Sequence, residues 1–313
     1  MIRTLKMIFR EIKDIKANLT KVLFQTDDTK LVSLDWSGNA TFYETQNLTK
    51  VHTYWGSAPI LDCAFTSRTE QIILGGVERQ IRLHNILTNT TEVIGEHDFP
   101  VKCLKSYPQK SMLVSGSWDM SIKFWDLCSN TCIKTKNLPG KVYALDYSNN
   151  LIVSALSNKE ILVFDIRNLD HYQRYPTPLK NQTRDLQCLP NDTGFVISSV
   201  AGRVGVEYFH SQKNFSFRCH RKGNQIYSVN SVKCHPESKT FATGGSDSEV
   251  FIWDSKNKKR AWQGGYSKEV VSLSFNSDGS LLAVGCSDLY FTNPSPNSVT
   301  IEYLEDSFCK VLN

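Results

Sequence analysis

Three residue types capable of covalent chemistry fall close together in one stretch of the chain. His97, Ser115 and Asp119 supply an imidazole, a hydroxyl and a carboxylate, the set from which hydrolases assemble a nucleophile, its base and the group that orients the base. The set recurs as His220, Thr243 and Asp247, again with four residues from hydroxyl to carboxylate. In both copies a tryptophan follows the hydroxyl by ten residues, Trp125 in the first and Trp253 in the second. Recurrence with an indole attached points away from a catalytic site and toward a buried network that satisfies donors and acceptors in a repeated unit. No catalysis and no cofactor are expected. Cys128 and Cys132 have ligand-like spacing, but no second Cys or His pair follows at a zinc-site interval, so no metal is expected either.

The repeated unit is visible around the first set. Residues 113–126, LVSGSWDMSIKFWD, read as apolar strand, tight turn and apolar strand ending in Trp-Asp, the WD-repeat signature. Weaker copies lie at 31–44, 72–85, 151–165, 196–209, 241–254 and 281–305. They end at Glu44, Asn85, Asp126, Asp165, Phe209, Asp254 and about Glu305, close to the ~40–45 residues of one four-stranded blade. The sequence predicts an all-β fold, a seven-bladed WD-repeat β-propeller occupying residues 1–313 as a single domain. The segment near Met7 to Ile12 has no blade of its own and is assigned as the outer strand of the seventh, because a ring closed by its N-terminal strand leaves no open sheet edge there. Pro176 and Pro178 are expected to lead out of blade four after a short edge strand near Gln173–Tyr175. An expanded loop with Pro294 and Pro296 is expected in blade seven, and residues Asp306 to Asn313 as a loose end.

Composition fits that architecture. Thirty-six basic against 31 acidic side chains give a net charge of +5, too mild and dispersed for generic polyanion binding. No apolar run is long enough to span a membrane and the N-terminal residues carry no secretory pattern, so a cytosolic or nuclear protein is expected. Nine cysteines is an odd count, and Cys63, Cys103, Cys188 and Cys234 recur in first strands as small buried apolar residues, so no disulfides are expected. The KNKKR run, Lys256 to Arg260, resembles a nuclear-import or polyanion patch but reads more simply as a solvated loop.

Propeller topology sorts the remaining candidates. The turn between strands two and three and the loop into strand one leave a blade on the same side. Trp36 and Trp118 occupy the first kind of connection in blades one and three, and Arg203 in blade five; Arg184 and Arg221 lead into the first strands of blades five and six. All five share one face, and tryptophan and arginine are the residue types most often found as binding hot spots.

The segments LKNQTRDLQCLPNDTGFVISSVAGRVGVEYF, FSFRCHR and IYSVNSVKCHPESKTFATGGSDSEVFIWDSKNKKR resemble the WD-repeat mitotic spindle checkpoint family named for budding uninhibited by benzimidazoles. The likeness extends through APILDCAF, GEHDFPVKCL, GSWDMSIKFWD and VFDIRN, covering blades two to six well and blades one and seven loosely. Ser37, Glu78, His84 and the blade-seven loop depart from it. The sister family, the Rae/Gle messenger-RNA export factors of nuclear pores, shares GRV and CHR but matches VFDIRN, QTR and KNKKR less well. The resemblance implies a non-catalytic, monomeric adaptor at the kinetochore in the nucleus, with no membrane and no direct nucleic-acid contact. It implies that Arg203 and Arg221 bind the acidic GLEBS motif of checkpoint kinases. It also implies that Trp36, Trp118 and Arg184 read phosphorylated M-E-L-T repeats of an outer-kinetochore scaffold. Guanidinium forks suit carboxylates and phosphates, and indoles suit the Met and Leu flanks.

Overall fold

The computed structural model describes residues 9–211, 213–288 and 296–304, and among them seven four-stranded antiparallel sheets repeat around a ring. Counted outward from the axis, blade three consists of Val101–Tyr107, Met112–Ser117, Ser121–Asp126 and Thr131–Asn137. Blade five consists of Thr183–Cys188, Gly194–Ser199, Arg203–Tyr208 and Phe215–Arg218. Blade six consists of Val229–Cys234, Thr240–Gly245, Glu249–Asp254 and Lys259–Gly265. Second strands are buried almost throughout, because both faces of each sheet meet a neighbouring blade; the two-residue alternation expected of a half-solvated strand is lost there. Outer strands, exposed on one side, recover it, as over the later residues of Thr131–Asn137 and Lys259–Gly265.

The ring is closed as expected. The N-terminal strand Phe9–Ile15 pairs antiparallel with Asn297–Tyr303, so blade seven takes its outer strand from one end of the chain and its inner three from the other. Met7, Pro294 and the tail from Asp306 to Asn313 lie outside the described residues. Blade four departs from expectation. Its outer strand is nine residues long, and Pro176 closes it opposite Glu160 instead of leading out of the blade. An outermost strand needs no N–H on its free side, so a terminal proline costs that ladder nothing. In blade six a separate hairpin, Arg221–Lys222 paired with Gln225–Ile226, precedes strand one, which begins at Val229.

The blades are tied to one another around the axis by side chains of their first strands. Lys21 pairs with Asp62 across blades one and two, and Asp62 Oδ2 accepts the Leu104 N–H of blade three at 2.8 Å. Lys105 Nζ meets Asp146 Oδ1 at 2.8 Å, and Asp146 Oδ2 accepts the Cys188 N–H of blade five at 2.8 Å. Asp185 binds Lys233 and the Val232 N–H of blade six. Ser231 Oγ accepts the Leu273 N–H of blade seven, and Ser272 Oγ accepts the Val22 N–H of blade one, which completes the circuit.

Candidate functional site

One backbone hydrogen bond recurs in every blade and defines the face. The residue just after strand two donates its N–H to the carbonyl just before strand one: Trp36 to Asn18, Val77 to Pro59, Trp118 to Pro100, Ser157 to Lys141, Val200 to Gln182, Ser246 to Ser228 and Ser287 to Glu269. Trp36 and Trp118 are therefore equivalent positions two blades apart. The turn carrying Trp36 is fixed by Asp35, whose Oδ1 accepts the N–H groups of Ser37 and Asn39, and by Gly38 at φ +91°, where a Cβ would lie 2.6 Å from the Ala58 carbonyl. Trp36 is 50 % exposed. Trp118 is half-buried, and its Nε1 is buried with no hydrogen-bond partner among the described residues. Val77, Phe99 and Met120 are exposed beside these tryptophans on the same connections, so blades one to three carry an apolar arc.

Blades five and six carry the basic arc. Each first strand has a β-bulge at its second residue, where the register of the ladder shifts: Arg184 lies in the irregular stretch between Thr183 and Leu186, as Lys102 does between Val101 and Cys103 and Tyr143 between Val142 and Ala144. A bulge re-aims its side chain out of the pleat, and here it does so at the mouth of the central channel. Arg203 starts strand three of blade five after Gly202 at φ +57°, and pairs across the sheet with Arg218. Arg221, on the inserted hairpin, donates through Nη2 to the Ala201 carbonyl at 3.3 Å, which ties the hairpin to the turn before Arg203. The Cys219 N–H donates to the Gly202 carbonyl at 3.1 Å, which brings the chain leading into the hairpin against the turn before Arg203. Arg221 Nε is also buried without a partner. Arg203 and Arg221 thus come together, whereas Trp36, Trp118 and Arg184 lie on alternate blades. Any ligand touching those three must cross the channel mouth.

The two hydroxyl–imidazole–carboxylate sets lie at the edge of this face, inside blades three and six. His97 Nδ1 is 2.7 Å from Asp119 Oδ2 and its Nε2 is 2.7 Å from Ser115 Oγ, while Trp125 Nε1–H donates to the same Oγ at 2.8 Å. Burial opposes ionisation of Asp119, but bonds from His97, Ser121 and the Asp98 N–H hold its carboxyl well below the usual range. A carboxylate only accepts, so Nδ1 carries the shared proton, Nε2 accepts from Ser115, and the hydroxyl accepts from the indole. Ser115 is 0 % exposed, out of reach of any substrate. Blade six repeats the arrangement, with His220 at 2.7 Å from Asp247 and 2.9 Å from Thr243, which accepts from Trp253 at 2.9 Å. Among the described residues no three His, Cys, Asp or Glu side chains gather to hold a metal.

Sequence reasoning missed the channel-mouth residues Lys102 and Tyr143. Aligning the seven copies on the position of Arg184 singles them out. It also read His84 only as a weakening of blade two. His84 pairs with Ile72 as Trp125 pairs with Leu113, and in place of an indole bond it meets Thr91 Oγ1 and His52 Nε2, each at 2.9 Å.

The model of the WD domain, G-beta repeat, matches residues 89–126, 211–254 and 258–289. The mitotic checkpoint protein bub-3 of Caenorhabditis elegans is 36% identical, over 92% of this chain and 91% of its own. The spindle assembly checkpoint protein bub3 of Schizosaccharomyces pombe is 33% identical over 87% and 89%. A poly(A)+ RNA export protein of the same yeast is 30% identical over 86% and 81%. Among solved structures, that of U3-55K superposes with a TM-score of 0.86 over 95% of this chain and 98% of its own, at 18% identity, a likeness of fold alone.

Proposed function

The chain belongs to the family of WD-repeat mitotic checkpoint propellers, and from that premise we propose that it is a non-catalytic, monomeric adaptor of the spindle assembly checkpoint. In this reading residues 1–313 form one propeller that acts in the nucleus at kinetochores. Arg203 and Arg221 hold the glutamates of a GLEBS motif from a checkpoint kinase, and Trp36, Trp118 and Arg184 read a phosphorylated M-E-L-T repeat. The observation that supports it is an exposed tryptophan, Trp36, on the face that also bears Arg203 and Arg221. Tryptophan and arginine are the side chains that most often anchor a bound peptide, and guanidinium groups suit its carboxylates or phosphate. An export role of the Rae/Gle type is the weaker alternative, since the export relative is the less similar one.

Calorimetry with the two peptides, beside a melting curve on each sample, tests the assignment. Arg203→Glu with Arg221→Glu is expected to abolish GLEBS-peptide binding, because like charges meeting across an interface cost several kcal/mol. Arg184→Ala is expected to weaken the phosphorylated M-E-L-T peptide by about 1.5–3 kcal/mol and to spare the other. Wild-type affinity of a folded double variant for the GLEBS peptide would overturn the residue assignment.

A further inference from the structure

Blade five has the shortest outer strand of the ring, the four residues Phe215–Arg218, where those of the other blades run six to nine. Its pairing with strand three stops at Val206↔Phe215, so Glu207 and Tyr208 have no strand beyond them. Beside this gap, between blades five and six, lies a cleft of about 560 Å³. It opens among the one-to-two and three-to-four turns, the face opposite the arginines of the candidate site. Its floor is apolar, formed by Phe241, Cys234, Leu189 and the ring of Phe215. Its rim is basic, with Lys213 and Lys239 on two turns and Lys256 and Lys258 from the KNKKR run on a third; Glu237 is the one acidic residue lining it. Lys258 Nζ stands 4.7 Å from the centre of the Phe215 ring. All four lysines are exposed, and none makes an ion pair among the described residues.

We propose that this cleft is a second docking site, for a short acidic peptide that inserts one aromatic or aliphatic side chain between blades five and six. The volume falls within the ~300–1,000 Å³ of ordinary ligand sites, and an apolar floor with a few charged groups at its rim is their usual chemistry. Four lysines against one glutamate select for negative charge, which steers encounter and rejects basic partners. No arginine lines the cleft. The lysines surround an apolar floor that takes one side chain and has no aromatic platform beyond the Phe215 ring on which successive bases could stack, so a carboxylate-bearing peptide is favoured over a nucleic-acid strand. The KNKKR run is then the basic wall of a pocket and not merely a solvated loop.

The probe is a fluorescein-labelled peptide with three acidic residues on each side of one phenylalanine, titrated with the full chain and followed by fluorescence polarisation. The expected result is saturable binding, weakened at least about tenfold by Lys256→Glu with Lys258→Glu, or by Lys239→Glu as an independent variant. Replacing the peptide's phenylalanine with alanine is expected to cost a similar factor, and saturable binding is expected to remain in Arg203→Glu with Arg221→Glu, where the opposite face no longer takes acidic peptides, which separates the two sites. The proposal is overturned by no binding up to about 1 mM. It also fails if the alanine peptide binds equally, if folded lysine variants keep wild-type affinity, or if a single-stranded RNA 12-mer binds the cleft more tightly than the peptide.

Discussion

Ser115 Oγ is held from two sides, by an indole that donates and an imidazole that accepts, so its removal strands both partners in a dry interior. Ser115→Ala or Asp119→Asn should cost about 1–3 kcal/mol of stability while peptide affinity of the folded fraction stays unchanged. Differential scanning calorimetry with a binding titration on the same sample checks this. A hydrolytic activity lost in either variant at full stability would refute the scaffold role. His84 supports a second prediction at this scale. Burial and the neighbouring His52 lower its pKa to about 4, and burial lowers that of His52 too. The unfolded chain takes up protons near pH 6.5 that the folded chain refuses, so stability rises with pH between about 4 and 6.5 and is lost on acidification through that window. The melting temperature should fall as pH drops from 7 to 4.5, with a flatter slope for His84→Asn. An unchanged slope would remove His84 as the cause.

At the scale of the strand, the belt of side chains around the axis is the feature that joins blade to blade. Asp146 uses both carboxylate oxygens in it, on Lys105 and on the Cys188 N–H. Burial disfavours the Lys105 charge, but Asp146, Asp62 and Asp185 overcome this and raise its pKa. Asp146→Ala would leave the half-buried Lys105 ammonium and the Cys188 N–H short of a partner and should destabilise by about 1–3 kcal/mol, measured by urea unfolding. A change under 1 kcal/mol would mean that water replaces the carboxylate. This belt was not legible in the sequence, because its members are spread over first strands about 40 residues apart and differ in type from blade to blade. Strands two and three were legible: burial on both faces keeps them apolar, and Trp125 and Trp253 mark their ends. The outer strand of blade four was read too short for the converse reason. Solvent on one side tolerates lysine, glutamate or Pro176, so only pairing reveals that Asn168–Pro176 runs nine residues. Arg221 was placed on the right face but on the wrong element. The turn at Gly223, φ +59°, makes a hairpin that no other blade has among the described residues.

Across the whole molecule, the two tryptophans of the candidate site lie on blades one and three and its arginines on blades five and six, while the proposed lysine cleft faces the other way. Closure of the ring is the property on which all three depend. Deleting Phe9–Ile15 should bare the full edge of Asn297–Tyr303, and the expected outcome is aggregation and a lower melting temperature, seen by size-exclusion chromatography and scanning calorimetry. A monomeric variant that melts like the parent would show that blade seven is sealed otherwise. The same pairing has a consequence in time. Phe9 meets Glu302, so this strand must wait for a partner made almost 300 residues later. At the ~5–20 residues per second of translation the nascent chain carries that unpaired strand for roughly 15–60 s, long enough for a chaperone to hold it or for two ribosome-bound copies to exchange it.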